Sequence, residues 1–350
     1  MRRTSQRSSQ RPSLALAALL PLGLLADTPK LSYDEGAEVT RTWTLRSTRA
    51  VDSATLTMNE NAQDIGSGSS SSSTLSIEVR DAVQAVSDGA PQRFLRTIEA
   101  VGTEQEISGF DDSEGVQMKD TSGTSELVGA GVLFTFDPDA EEWEREYDED
   151  SSGEEAWLED LAPDMDLSGI LPEDDVAVGE TWDVPLSILD DLLKPGGELD
   201  VRPEDDEGGQ EGAIAITIPS VGDVGRWHEM EGSVQARYLE LVEEDGPRLA
   251  RIQLTVDVKG ELDLADYLED EAAERGVDET YSEAALERTL QGKVTIDWDL
   301  AAGRFADVEG TLSGTGEFFS EWTLAVQGLE LGLGVERSGT FEYEIEASIR

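Results

Sequence analysis

The stretch DEDSSGEEAWLE, residues 148 to 159, carries oxygen-bearing side chains at nearly the spacing of a calcium loop. Asp148, Asp150, Ser152 and Glu159 would supply hard oxygens, and Gly153 the sharp turn that lets them converge on one ion. Two features oppose the reading. Glu155 stands where such a loop needs an apolar residue, and the preceding VLFTFDPD is strand-like and contains Pro138 rather than an incoming helix. A second, looser match runs through Asp164, Asp166, Ser168 and Gly169 to Asp175, with Leu171 at the apolar position and Pro172 beside it. In a chain with 77 acidic residues such matches arise by chance, and loose cation binding by an acidic surface is the competing explanation.

Other chemistry finds few residues to carry it. His228 is the single histidine, set in RWHEM beside Glu229, and there is no cysteine, so a zinc site lacks ligands. No nucleophile elbow, phosphate-cradling glycine loop or H-E-x-x-H pair occurs. Paired carboxylates could hydrolyse a glycoside, but so many acids make any one pair uninformative without a cleft that perturbs its titration.

Composition narrows the partners. Against 77 acids stand 26 basic residues, a formal net charge of −51. Nucleic acid and anionic membranes are poor partners, because binding them needs clustered Lys and Arg, and no nucleic-acid partner is expected. Self-repulsion at this charge favours solubility and suits high salt. The N-terminus reads as a cleavable secretory signal over residues 1–26: Arg2, Arg3, Arg7 and Arg11, then the apolar run LALAALLPLGLLA. That run is too short for a membrane span, so no stable membrane insertion is expected once it is removed. No Cys follows it to take a lipid anchor.

The elements that would position any site are mostly strands. Apolar side chains recur at every second residue in RIQLTVDV, KVTIDWDL and FEYEIEA, with charged or Thr-rich residues between them. Sheets with one dry and one wet face are antiparallel. A membrane barrel would reverse the pattern, with an apolar outer belt and aromatic girdles, and the acidic faces speak against it. Helices are predicted over Leu264 to Gly276, over about 281–290 behind a Thr280–Glu283 capping box, and in the short stretches EEAWLEDLA and PLSILDDLL. Asn61 to Ser73 reads as a Gly/Ser linker, and 194–212 as an acidic, Gly-rich one.

The chain also repeats a pattern. Residues 83–101 and 237–256 are both strand, Asp-Gly turn, strand; 131–146 and 293–308 are both strand, Asp-containing turn, strand, in the same order. Two related halves, about 27–193 and 213–350, follow as an expectation.

GILPEDDVAVGETWDVPLSIL, Gly169 to Leu189, and the later VTIDWDLAAGRFADVEGTLSGTGEF resemble segments of uncharacterised exported bacterial proteins. Their architecture is similar to the curved half-barrel of periplasmic lipoprotein carriers. The resemblance implies an acyl-binding concave side and brings no catalytic residues. Within that segment Trp182 reads from its residue type as an apolar anchor for a strand, with a ligand-stacking platform as the alternative.

The sequence therefore predicts a mainly β protein: a curved antiparallel sheet or half-barrel from two related halves, with short helices on the concave face. It predicts an exported, periplasmic or extracellular, non-enzymatic protein that binds an apolar or lipid-like ligand or an envelope protein and needs no cofactor. A calcium-stabilised surface protein and a carboxylate-based hydrolase are the alternatives.

Overall fold

The computed structural model describes residues 28–350 apart from 60, 66, 112–114, 200, 204–226, 244–245, 275–278 and 327–328. The proposed signal lies outside the described residues. The strands are β1 (Glu38–Met58), β2 (Asn61–Asp64), β3 (Ser70–Ser87), β4 (Ala90–Asp111), β5 (Gly115–Ser125), β6 (Gly131–Asp137) and β7 (Glu142–Tyr147). They continue with β8 (Thr181–Val184), β9 (Val201–Pro203), β10 (Glu231–Val242), β11 (Leu249–Asp263), β12 (Glu279–Asp299), β13 (Arg304–Val326) and β14 (Leu329–Ile349). Helices are short: α1 (Ile188–Leu193), α2 (Ala265–Glu274) and 3-10 turns at Glu155–Leu158, Ser168–Ile170 and Trp227–Glu229.

Among the described residues all 14 strands join one sheet, in the order β7-β6-β4-β3-β1-β14-β13-β12-β11-β10-β8, with β2, β5 and β9 attached beside that path. Every pairing is antiparallel, and none joins β7 to β8, so the sheet is not closed into a barrel. The first and last long strands, β1 and β14, meet in the middle, and meanders run outward from them on both sides.

Alternation decides which face is dry. Val39, Trp43 and Leu45 of β1, Ile252, Leu254 and Val256 of β11, and Phe341, Tyr343 and Ile345 of β14 are buried on one face. Their neighbours in sequence face outward. The inner face is filled by the chain itself. Residues 161–199 cross it with Leu161, Met165, Ile170, Ile188, Leu189 and Leu192 buried in the same core as the strands. We call this segment the cover. Helix α2 lies against β12 with Leu268 and Ala272 buried.

Before β1 a strap ties together two hairpin tips that are far apart in the strand order. Ser32 N donates to Gly303 O at the β12–β13 turn, and Tyr33 N to Gly89 O at the β3–β4 turn. Gly303 has φ +64°, and a Cβ there would lie 2.3 Å from the Ser32 Cβ, so only glycine lets the strap seat so closely.

Three expectations need correcting. Residues 281–290 are strand, within β12, because Ala284, Leu286, Arg288 and Leu290 alternate onto the inner face and tertiary pairing overrides the capping box. The Gly/Ser tract is no free linker: Asn61–Asp64 pairs with β1, and Ser70 to Ser73 begin β3, bonded to both β1 and β4. The start of the acidic linker is also packed. Leu199 is buried and Val201–Pro203 pairs with β5. Residues 204–212 lie outside the described residues.

Candidate functional site

Among the described residues four buried charges interrupt the apolar inner face of the sheet: Arg288 on β12 lies over Trp227, 3.6 Å from its ring centre, and the other three form one cluster. Arg41 sits between Val39 and Trp43 on β1, Asp81 between Val79 and Val83 on β3, and Arg96 between Phe94 and Ile98 on β4. Asp81 and Arg96 are directly opposite in the ladder, and Arg41 lies one strand over. Their side chains are 3–5% exposed. Ions so buried persist only if every polar group is paired.

The cover completes the pairing. Asp166 accepts from Arg41 Nε and Nη2, both at 2.8 Å, in a bidentate fork, and from Tyr33 Oη at 2.5 Å. Arg41 Nη1 donates to Asp81 Oδ2 at 2.7 Å. Arg96 grips Asp81 through Nε at 2.9 Å and Nη2 at 2.8 Å. It also donates to the carbonyls of Ala162 at 2.7 Å and Pro163 at 2.9 Å. Its guanidinium lies 5.2 Å and 5.1 Å from the centres of the Phe94 and Phe134 rings. Two cations meet two anions, so the cluster is neutral and works as a latch between sheet and cover. Burial pushes the Asp81 carboxyl up, but Arg96 and Arg41 outweigh it and hold its pKa below the usual carboxylate range.

Two further carboxylates lie in the cover itself. Asp164 accepts from the backbone N–H of Asp166 at 2.7 Å and of Ser168 at 2.9 Å, which shapes the turn that delivers Asp166. Burial and the Asp166 charge raise its pKa. Asp191 on α1 is pushed up to about 7 by burial and by the charges of Asp164 and Asp190. These are the perturbed acids a hydrolase reading would look for. Both belong to the packed cover, and neither lines the grooves that open on the outer face.

The calcium-loop residues do not converge. Asp148 is half-buried, its carboxylate against Gly131, where a Cβ would lie 2.5 Å from Asp148 Oδ2. Asp150, Ser152 and Glu159 are exposed. Among the described residues no group of three or more His, Cys, Asp or Glu side chains is arranged to hold a metal ion. The second match is taken up by the latch, since Asp166 binds Arg41 and Asp164 shapes the turn. Trp182 packs against the core and donates its indole N–H to Ile170 O at 2.8 Å, so it ties β8 to the 3-10 turn Ser168–Ile170 within the cover. His228 lies in the 3-10 turn Trp227–Glu229, and its side chain is outside the described residues.

Sequence reasoning missed Arg41, Asp81, Arg96 and Tyr33. A signal was present: a charge at an inward position of a strict alternation must find a partner.

Comparison with known proteins adds little to this geometry. No protein family and no curated protein matches the chain. Among solved structures, the outer membrane protein OprG from Pseudomonas aeruginosa aligns over 90% of this chain and 97% of its own, at 7% identity and a TM-score of 0.21. An outer membrane channel from Pseudomonas putida F1 aligns over 92% of this chain and 98% of its own, at 9% identity and a TM-score of 0.21. At that TM-score neither likeness supports an inference about fold or function. What stands is a mainly β chain whose single open sheet is closed on its inner face by its own residues.

Proposed function

We propose that this is an exported, non-enzymatic envelope protein that binds an apolar, chain-like ligand on the inner face of its sheet, beneath the cover. The observation that carries the reading is how the cover is held. It buries large apolar side chains one by one from short turns and a six-residue helix, and its ties to the sheet are a compact ionic latch on the inner face, the edge pairing of β8 with β10, and single bonds such as Arg145 Nε to Leu161 O at 2.6 Å. A ligand that replaces those side chains meets an apolar surface already formed. Each buried Leu or Ile it displaces contributes about 1.5–3 kcal/mol, so the ligand must offer comparable apolar area. The apparent affinity then depends on the fraction of molecules with the cover displaced.

The chain purified from an exporting host should carry alkyl-chain compounds recoverable by organic extraction and seen by native mass spectrometry. After their removal, a fluorescent fatty-acid analogue should bind and raise the melting temperature. Protein that yields no lipid and leaves the analogue free contradicts the reading.

A further inference from the structure

The outer face carries a groove of about 770 Å³ that runs across six adjacent strands, from β4 through β3, β1, β14 and β13 to β12. Its lining comes from two parallel rows. One passes through Glu106, Ser72, Thr48, Glu342, Ser313 and Gln291, each directly opposite the next. The other passes through Ser108, Ser70, Ala50, Thr340 and Thr315, and Thr289 continues it. Five strand spacings of about 4.8 Å make the groove roughly 24 Å long.

Side-chain height explains the depression. Both rows are short residues apart from Glu106, Glu342 and Gln291. The row on one side carries Glu104, Arg46, Glu344 and Lys293, and the row on the other carries Glu287 and Glu317, whose longer side chains form walls. The groove is also chemically distinct from the surface around it. On a chain of net charge −51 its lining holds only two carboxylates, Glu106 and Glu342, and one cation, Arg49, and hydroxyls predominate. Several hydroxyls are already oriented by each other: Ser70 Oγ lies 2.8 Å from Ser108 Oγ, and Thr289 Oγ1 lies 3.0 Å from Thr315 Oγ1.

From this we infer that the outer groove is a binding site for an extended, uncharged polyhydroxylated chain, a neutral oligosaccharide. The length suits an oligomer rather than a single small molecule. Ser and Thr hydroxyls both donate and accept, which matches sugar hydroxyls, and short side chains lose little rotamer freedom on binding. Glu106 and Glu342 supply the strong acceptors, since hydrogen bonds to an ionised carboxylate are about twice as strong as neutral ones. An anionic polymer is repelled by those two groups and by the surrounding field. A cation finds the flanking Glu344 and Glu346 already engaged with Arg46, at 3.7 and 3.1 Å. The inference is independent of the inner-face reading, because the two sites lie on opposite faces of the sheet.

The test is binding of the full chain to an array of neutral α- and β-linked oligosaccharides, with a hexameric oligogalacturonate as the charged control, followed by calorimetric titration of each hit. Neutral chains should bind and the charged control should not. Thr340→Leu and Ser313→Leu, both at exposed strand positions, should weaken binding at least tenfold with melting unchanged, and Glu342→Gln several-fold. An array with no neutral hit, a charged control that binds as well, or hits indifferent to all three substitutions overturns the inference. The wild-type array decides by itself if a variant fails to fold.

Discussion

Arg41 and Asp166, 125 residues apart in sequence, meet through two parallel hydrogen bonds of 2.8 Å with both side chains under 10% exposed. One end of this pair belongs to the central strand of the sheet and the other to the cover. It is one of the points at which the cover is held on the apolar inner face, beside the bonds from Arg96 to Ala162 O and Pro163 O.

Removing one partner of the pair leaves a buried charge alone. Asp166→Ala should destabilise the fold by about 3–5 kcal/mol, as broken buried pairs do. The double variant Arg41→Met/Asp166→Leu should lose clearly less, because it leaves no orphan charge at that contact. Urea denaturation of the three proteins checks this ordering.

Asp191 makes stability depend on pH in an unusual direction. Its folded pKa, about 7, lies above the ordinary carboxylate value of 3.8, so the native state holds the proton more tightly than the unfolded chain. Between about pH 4 and 7 this group therefore lowers stability as pH rises. Asp81 acts oppositely. Its folded pKa is depressed, so its contribution is present above the ordinary value and is lost as pH falls through the folded one. Asp191→Asn should flatten the decline towards neutral pH and raise the melting temperature at pH 8, leaving the acid limb in place. A variant that melts lower than wild type at pH 8 contradicts the assignment.

Gly197 gives the cover its return turn. Its φ is +83°, and a Cβ there would lie 2.1 Å from Asp160 O, beside the Leu161–Gly197 bridge. Left-handed backbone alone costs an L-residue roughly 1–2 kcal/mol, and the clash adds to it. Gly197→Ala should lower stability by more than that and raise hydrogen exchange in 161–199 before the central strands.

Calcium should behave as a generic counter-ion. With Asp150 and Glu159 exposed and Asp148 turned under Gly131, calcium and magnesium should raise the melting temperature alike, by screening a chain of net charge −51. A calcium-specific shift at sub-millimolar concentration, lost in Asp150→Asn, would show instead that the 148–159 loop closes on the ion.

Much of the sheet was legible because a period of two leaves little choice. Val294, Ile296 and Trp298 in β12 and Phe341, Tyr343 and Ile345 in β14 face inward as their spacing requires. The errors arose where local chemistry and pairing disagree. Thr280 and Glu283 imitate a helix start, yet the residues behind them alternate, and the neighbouring strands β11 and β13 take them up. The serine tract looked flexible because serine has little strand preference, and only the partners β1 and β4 make it β. Within the cover only Gly169 to Leu189 and the short helix candidates stand out in the sequence, and the packing role is hidden, since short turns have no period that says what they pack against. The latch was hidden by number: Asp81 and Asp166 are two acids among 77. The arginines were the readable part, because Arg41 and Arg96 stand at inward positions between apolar neighbours.

The central claim is that the inner face accepts a ligand only when the cover leaves it. Titration of one fluorescent alkyl-chain probe into lipid-free wild type and Asp166→Asn tests it most directly. Loosening the latch raises the competent fraction, so the variant should bind about tenfold or more tightly while melting at lower temperature. Equal affinity in the two proteins, or no binding by either, would contradict the account.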